Sequence, residues 1–413
     1  MQTMIRRSIV LVALTALCCA CAPKPDPLPG HWRAVVQLPG GELPFFIDIS
    51  AGQNGSYEAQ IDNGDGHTPV ERVVREGDKL LLDFPSFDNR IDVTLEKGEL
   101  VGTLTLVKRN GKEQVMPLRA HLGESHRFFA DGGAALIDVT GRWSVTFRDD
   151  DGVETPAVGE FRQAGNELTG TFLTPTGDHR YLAGQVQDRE LRLSTFDGSH
   201  AFLYRAELGA DDTLAGDYWS GTAWHESWTA RRDADAHLAN LDTLTHLKEG
   251  YDRFTFSFPD LEGKPVSLDD ERFRGKVVMV VLAGSWCPNC HDEAAYLAPL
   301  YRAQSSRGLE IVELMYEHFG DFATAARQTQ RMRDKFGIEY TTLIAGVSDK
   351  DEASKTLPML NAVLAFPTTI FVDRHGRVRL IHTGFAGPGT GEHYTELKRS
   401  FEAMLETLLR ESA

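Results

Sequence analysis

An unbroken apolar run, Val277-Val278-Met279-Val280-Val281-Leu282, ends four residues short of Cys287-Pro288-Asn289-Cys290. A run apolar at every position fits a strand covered on both faces, as in a parallel sheet sandwiched by helices. A helix is expected from the cysteine pair to about Arg307. Downstream, Leu309–Leu314 reads as a strand, residues 321–336 as a helix, and 340–345 as another strand. Thr368–Val372 is a further strand, turned by Asp373-Arg374-His375-Gly376 into Arg377–Ile381. A last helix from Glu392 sets Tyr394, Leu397, Phe401, Leu405 and Leu408 on one face. Residues 251–413 are therefore expected to form an α/β domain with the cysteines between its first long strand and the following helix.

The N-terminus reads as an address. Arg6 and Arg7 precede the run Ile9–Leu17, which is too short to span a membrane. A basic flank, a short apolar core and small residues before a cut site make a secretory signal over residues 1–20. Ala20-Cys21 resembles a bacterial lipoprotein signal, which implies lipidation of Cys21. Residues 21–29, with four prolines, form a stiff tether. Of five cysteines only Cys287 and Cys290 then remain. A disulfide between such close neighbours closes a tiny loop and adds little stability, so the pair is expected to do chemistry.

Between Gly30 and Arg232 the chain is rich in turn residues and short alternating runs. Gly30-His31-Trp32 matches Gly141-Arg142-Trp143, and Leu80-Leu81-Leu82, Phe87-Asp88 and Leu100-Val101-Gly102 match Leu191-Arg192-Leu193, Phe196-Asp197 and Leu214-Ala215-Gly216. The offset holds between 109 and 114 residues. This predicts an all-β, internally duplicated antiparallel region: unit 1 over 30–138 and unit 2 over 139–232, each a barrel or half-barrel. It serves either as a spacer with its tryptophans in the core or as a ligand- or partner-binding cup. Residues 233–250 are a charged connector, where leucines at 238, 241, 244 and 247 allow a short helix.

A thiol at a helix start meets unpaired N–H groups and the positive end of the dipole, which favours thiolate. Cys287 is expected to be exposed there and to attack, with Cys290 one turn deeper to resolve the mixed disulfide. A pKa lowered from about 8.5 to about 6.5 gives roughly 25-fold more thiolate, most of it cancelled by lost nucleophilicity. The larger benefit is a sulfur that leaves readily when Cys290 attacks.

Ser285-Trp286-Cys287-Pro288-Asn289-Cys290, Glu293, and Phe366-Pro367-Thr368-Thr369 before a strand resemble the TlpA/ResA-like branch of the thioredoxin superfamily. Phe258–Leu268 resembles that branch's N-terminal hairpin. The likeness covers residues 251–410 and departs at Gly284 and Phe366. It implies a membrane-anchored thiol-disulfide oxidoreductase outside the cytoplasm, with exported thiol or disulfide proteins and a membrane-side electron donor or acceptor as partners. It implies a cis Pro367 facing the cysteines, and candidate substrate-binding residues at Trp286, Pro288, Phe366 and Pro367. Thioredoxin's buried Asp position is Val281 here, leaving Glu293, on the Cys290 face of the helix, as the group to take the Cys290 proton.

Other readings compete. Cys287–His291 also spells C-x-x-C-H, the c-type haem signature, but haem proteins do not set it between a buried strand and a Phe-Pro-Thr-Thr strand. A peroxiredoxin needs Thr where Gly284 stands, and zinc would need a ligand beyond Cys287, Cys290 and His291. The glycine loop 384–391 lacks dinucleotide spacing. A binding lipoprotein with a vestigial thioredoxin domain is the non-enzymatic alternative. A net charge of −17 with no basic stripe excludes phosphate-neutralising nucleic-acid binding. No cofactor or metal is expected.

Overall fold

The computed structural model describes residues 26–412, so the signal segment and Cys21 lie outside the described residues. Alternating burial along strands such as Lys112–Leu122 turns one face of each N-terminal sheet inward. Two nine-stranded antiparallel sheets result. In the first, Gly30–Leu38 lies between its successor Gly41–Ala51 and the last strand, Lys112–Leu122. In the second, Gly141–Asp149 lies between Glu154–Ala164 and Trp224–Arg232. There Glu154–Ala164 also pairs with Glu167–Thr174, which closes the sheet into a barrel.

The repeated tryptophans occupy equivalent places. Trp32 donates its indole N–H to the Leu28 carbonyl at 2.8 Å, and Trp143 donates to that of Val139 at 2.9 Å. Both are fully buried, so each apolar ring is removed from water without orphaning its N–H. The sheets also pack on one another: Phe196 of the second enters the first core, 5.0 Å from Phe45.

The connector forms no α-helix. Its regular part is a single 3-10 turn, Leu241–Thr243, capped by Asn240. A three-residue leucine spacing matches the 3-10 period, which rarely persists beyond one turn, and Leu247 instead bridges to Leu360.

The C-terminal domain is thioredoxin-like. Its five-stranded sheet runs Thr341–Val347, Leu309–Glu317, Val277–Ala283, Thr368–Val372, Val378–Thr383, the first three parallel and the last two antiparallel to their neighbours. Every residue of Val277–Ala283 is buried. The helices are α1 Pro288–Gln304, α2 Phe322–Phe336, α3 Lys350–Thr356 and α4 Glu392–Arg410. The short α3, absent from the sequence reading, starts at Asp349, whose carboxylate accepts from the N–H groups of Asp351 and Glu352. Among the described residues no helix is long and apolar enough to cross a membrane.

Candidate active site

The strand Val277–Ala283 ends where α1 begins, and Cys287 is the N-cap of that helix. Its sulfur accepts the Cys290 backbone N–H at 3.2 Å, which occupies one of the helix's unpaired donors. The thiol also points at the Phe366 carbonyl, 3.4 Å away. The Phe366–Pro367 bond is cis. Both cysteines are buried, and no disulfide joins them in this structure. Burial raises the Cys290 thiol pKa well above its usual value, and the adjacent Cys287 adds to the effect.

Cys287 is not exposed as its helix-start position suggested; it is 4% accessible. The motif could not disclose the reason. The second β unit closes over the helix start, and Phe202, Tyr218 and Trp224 face Trp286, Cys287 and Phe366 across a cleft of about 490 Å³. Pro288 and Phe366 line the same cleft, and Pro367 immediately precedes the strand Thr368–Val372.

Trp286 is half-buried, donates to the Tyr316 carbonyl at 2.8 Å and stacks on His318 at 4.8 Å. Gly284 makes room for it, since a Cβ there would lie 2.3 Å from the indole nitrogen. The departure from the family pattern at this position thus has a steric basis.

Beneath the cysteines Glu293 is 1% exposed. One carboxyl oxygen accepts from the Thr369 hydroxyl and the other has no partner among the described residues. Burial raises its pKa to about 8, with Glu313 adding to the shift. Such a group is protonated at neutral pH yet within reach of ionisation.

Several residues here went unremarked in the sequence. Asp178 of the second β unit accepts from the Asn289 side chain at 3.0 Å and from the Gly387 N–H at 2.6 Å. Arg180 forks between Asp292 on α1, at 2.9 and 2.8 Å, and Asp197, at 2.9 Å. Ser199 donates to the Trp286 carbonyl at 3.0 Å. Nothing local marks these residues, because their partners in the C-terminal domain lie 87 to 209 positions away. Glu313 did carry a signal, a carboxylate within the apolar run Ile311–Met315. It is buried, bonded to the Tyr340 hydroxyl, and raised to about 7 by burial.

His291 sits where the start of α1 meets the first β unit. Its Nε2–H donates to the Ser285 carbonyl at 2.7 Å and Phe87 of the first β unit stacks on its ring at 4.1 Å. Burial and the nearby Lys335 hold it neutral. Among the described residues no cluster of three His, Cys, Asp or Glu side chains is arranged for a metal ion.

Residues 251–381 match the AhpC/TSA family. The chain is 26% identical over 152 residues to the thiol-disulfide oxidoreductase ResA of Halalkalibacterium halodurans, covering 36% of this chain and 77% of that protein. It is 31% identical over 133 residues to ResA of Bacillus thuringiensis subsp. konkukian, covering 32% of this chain and 68% of the relative. A ResA from Geobacillus thermodenitrificans is 30% identical, with 66% of its length covered. A solved thioredoxin-family thiol:disulfide interchange protein from Chlorobium tepidum overlays 39% of this chain and 98% of its own, at 19% identity and a TM-score of 0.30.

Proposed function

Because the chain belongs, through its C-terminal domain, with the ResA thiol-disulfide oxidoreductases in the thioredoxin-like AhpC/TSA family, we propose that it exchanges disulfides with exported proteins through Cys287 and Cys290. The observation that carries this reading is the stack at the start of α1. There the Cys287 sulfur accepts the Cys290 N–H, faces the Phe366 carbonyl, and lies above a buried Glu293 with one unpartnered oxygen.

In the reducing direction the Cys287 thiolate attacks one sulfur of a substrate disulfide. The substrate S–S bond breaks, one substrate thiolate leaves, and a mixed disulfide forms. Cys290 then gives its proton to Glu293 in its ionised form, a fraction that grows as the pH approaches about 8, and attacks the Cys287 sulfur. The Cys287–Cys290 bond forms and the second substrate thiolate leaves and is protonated from solvent. The substrate gains two electrons and the pair loses two; the oxidising direction is the reverse. A membrane-side thiol couple would reset the pair, and lipidated Cys21 would hold the protein at the membrane outside the cytoplasm.

The test is trapping. Cys290→Ala keeps the first attack and blocks the second, so mixed disulfides with exported proteins should accumulate as higher-mass bands that collapse on reduction. Cys287→Ala should trap far fewer, since its remaining thiol is deeper and held protonated. Equal trapping by both variants would overturn the assignment of roles. Trapping by neither, with both folded, would favour a ligand-binding lipoprotein.

A further inference from the structure

The second β unit does more than shield the redox pair. We infer that it supplies the specificity wall of the substrate cleft, selecting a cysteine carried on a narrow segment with an aromatic or apolar neighbour. This rests on the exchange chemistry proposed above.

Two observations converge. The first is access. Cys287 is 4% exposed and opens into the cleft of about 490 Å³ between the two parts of the chain. That volume falls in the range of small-ligand sites, about 300–1,000 Å³. A disulfide set in the broad face of a folded domain cannot bring its sulfur to such a recessed atom. A small disulfide or an extended segment can.

The second is the chemistry of the walls. Phe202, Tyr218 and Trp224 stand on the β side, with Trp286 and Phe366 opposite. His200 stacks on Phe202 at 4.3 Å, and Tyr218 stacks on Tyr204 at 4.5 Å, so most of this wall is already packed. Trp224 is the exception, 51% exposed at the end of the strand Trp224–Arg232. A half-exposed indole bordering a reactive sulfur offers an apolar face to whatever flanks the incoming cysteine.

The wall is also fixed in place. Asp178 holds Asn289, Arg180 holds Asp292, and Ser199 holds the Trp286 carbonyl. Three positions spaced by three residues along the redox segment are thus tied to one sheet, which sets the cleft width without a loop having to order on binding.

The experiment uses the full-length protein and two short peptides, each carrying a mixed disulfide, one with Phe and one with Glu beside the cysteine. Wild type should exchange with the Phe peptide about two- to tenfold faster in kcat/KM, the value of one aromatic contact. Trp224→Ala should erase the preference and Trp224→Phe should restore most of it, with unchanged circular dichroism in both. A preference that survives Trp224→Ala, or no preference in wild type, would overturn the inference. Absence of exchange with either peptide and with a small-molecule disulfide would instead overturn the underlying redox function.

Discussion

A carboxyl group raised to about 8 by burial keeps its proton through neutral pH and becomes a base only as the pH passes that value. For Glu293 this has a kinetic and an energetic consequence. The resolving step, in which Cys290 must lose a proton, should quicken with pH up to about 8 and then level. Glu293→Gln should remove that limb and slow resolution by roughly 10²-fold, the lower end of general-base contributions. Single-turnover rates from pH 6 to 9 would show it, and an unchanged profile would return Glu293 to a packing role. The energetic sign is equally definite. Between its ordinary value of 4.5 and about 8 the unfolded chain has released this proton and the folded chain has not. The folded state therefore loses about 1.4 kcal/mol per pH unit from this group across that window. Glu313 and Glu317, both raised to about 7, act in the same direction. Glu293→Gln should accordingly lose less stability than wild type between pH 5 and 8 in denaturant titrations.

The helix α1 was legible in outline, because a buried strand ending at C-x-x-C demands a helix start there. Its fastening was not. Arg180 comes from a strand-edge turn more than a hundred residues upstream and ends between Asp197 and Asp292 with little solvent contact. Burial opposes its charge, and the two carboxylates more than offset that. Arg180→Met should leave Asp292 buried without its cation, while Asp197 keeps His200 and two backbone N–H donors, and cost about 3–5 kcal/mol at pH 7. Burial already holds the Asp292 pKa above its ordinary value, and loss of the guanidinium raises it further. The deficit should then shrink as pH falls toward 5 and Asp292 takes up a proton. Urea titrations at pH 5 and 7 decide it; a pH-independent loss would mean that Arg180 acts by packing alone. The connector teaches the converse lesson: leucines every three residues invited a helix, yet the chain between two domains takes its shape from contacts such as Leu247 to Leu360.

The order of strands and helices after Val277 could be read because each carries its own periodicity. The duplicated β region could be read because Trp32 and Trp143 mark equivalent strands. The way the two parts meet could not, since Asp178, Ser199 and Phe87 look like ordinary turn and strand residues until their partners on and just before α1 are seen. That junction recesses Cys287 and sets the redox pair between both parts, but the exchange chemistry rests on the pair itself. Equilibrating the full-length protein across thiol–disulfide buffers of graded potential, then mapping thiols by mass spectrometry, tests it directly. The thiols of Cys287 and Cys290 should be lost together in one two-electron transition, with a tenfold change in ratio for every ~30 mV, and the oxidised peptide should carry a bond between them. Thiols that oxidise independently, or that never join to each other, would contradict it.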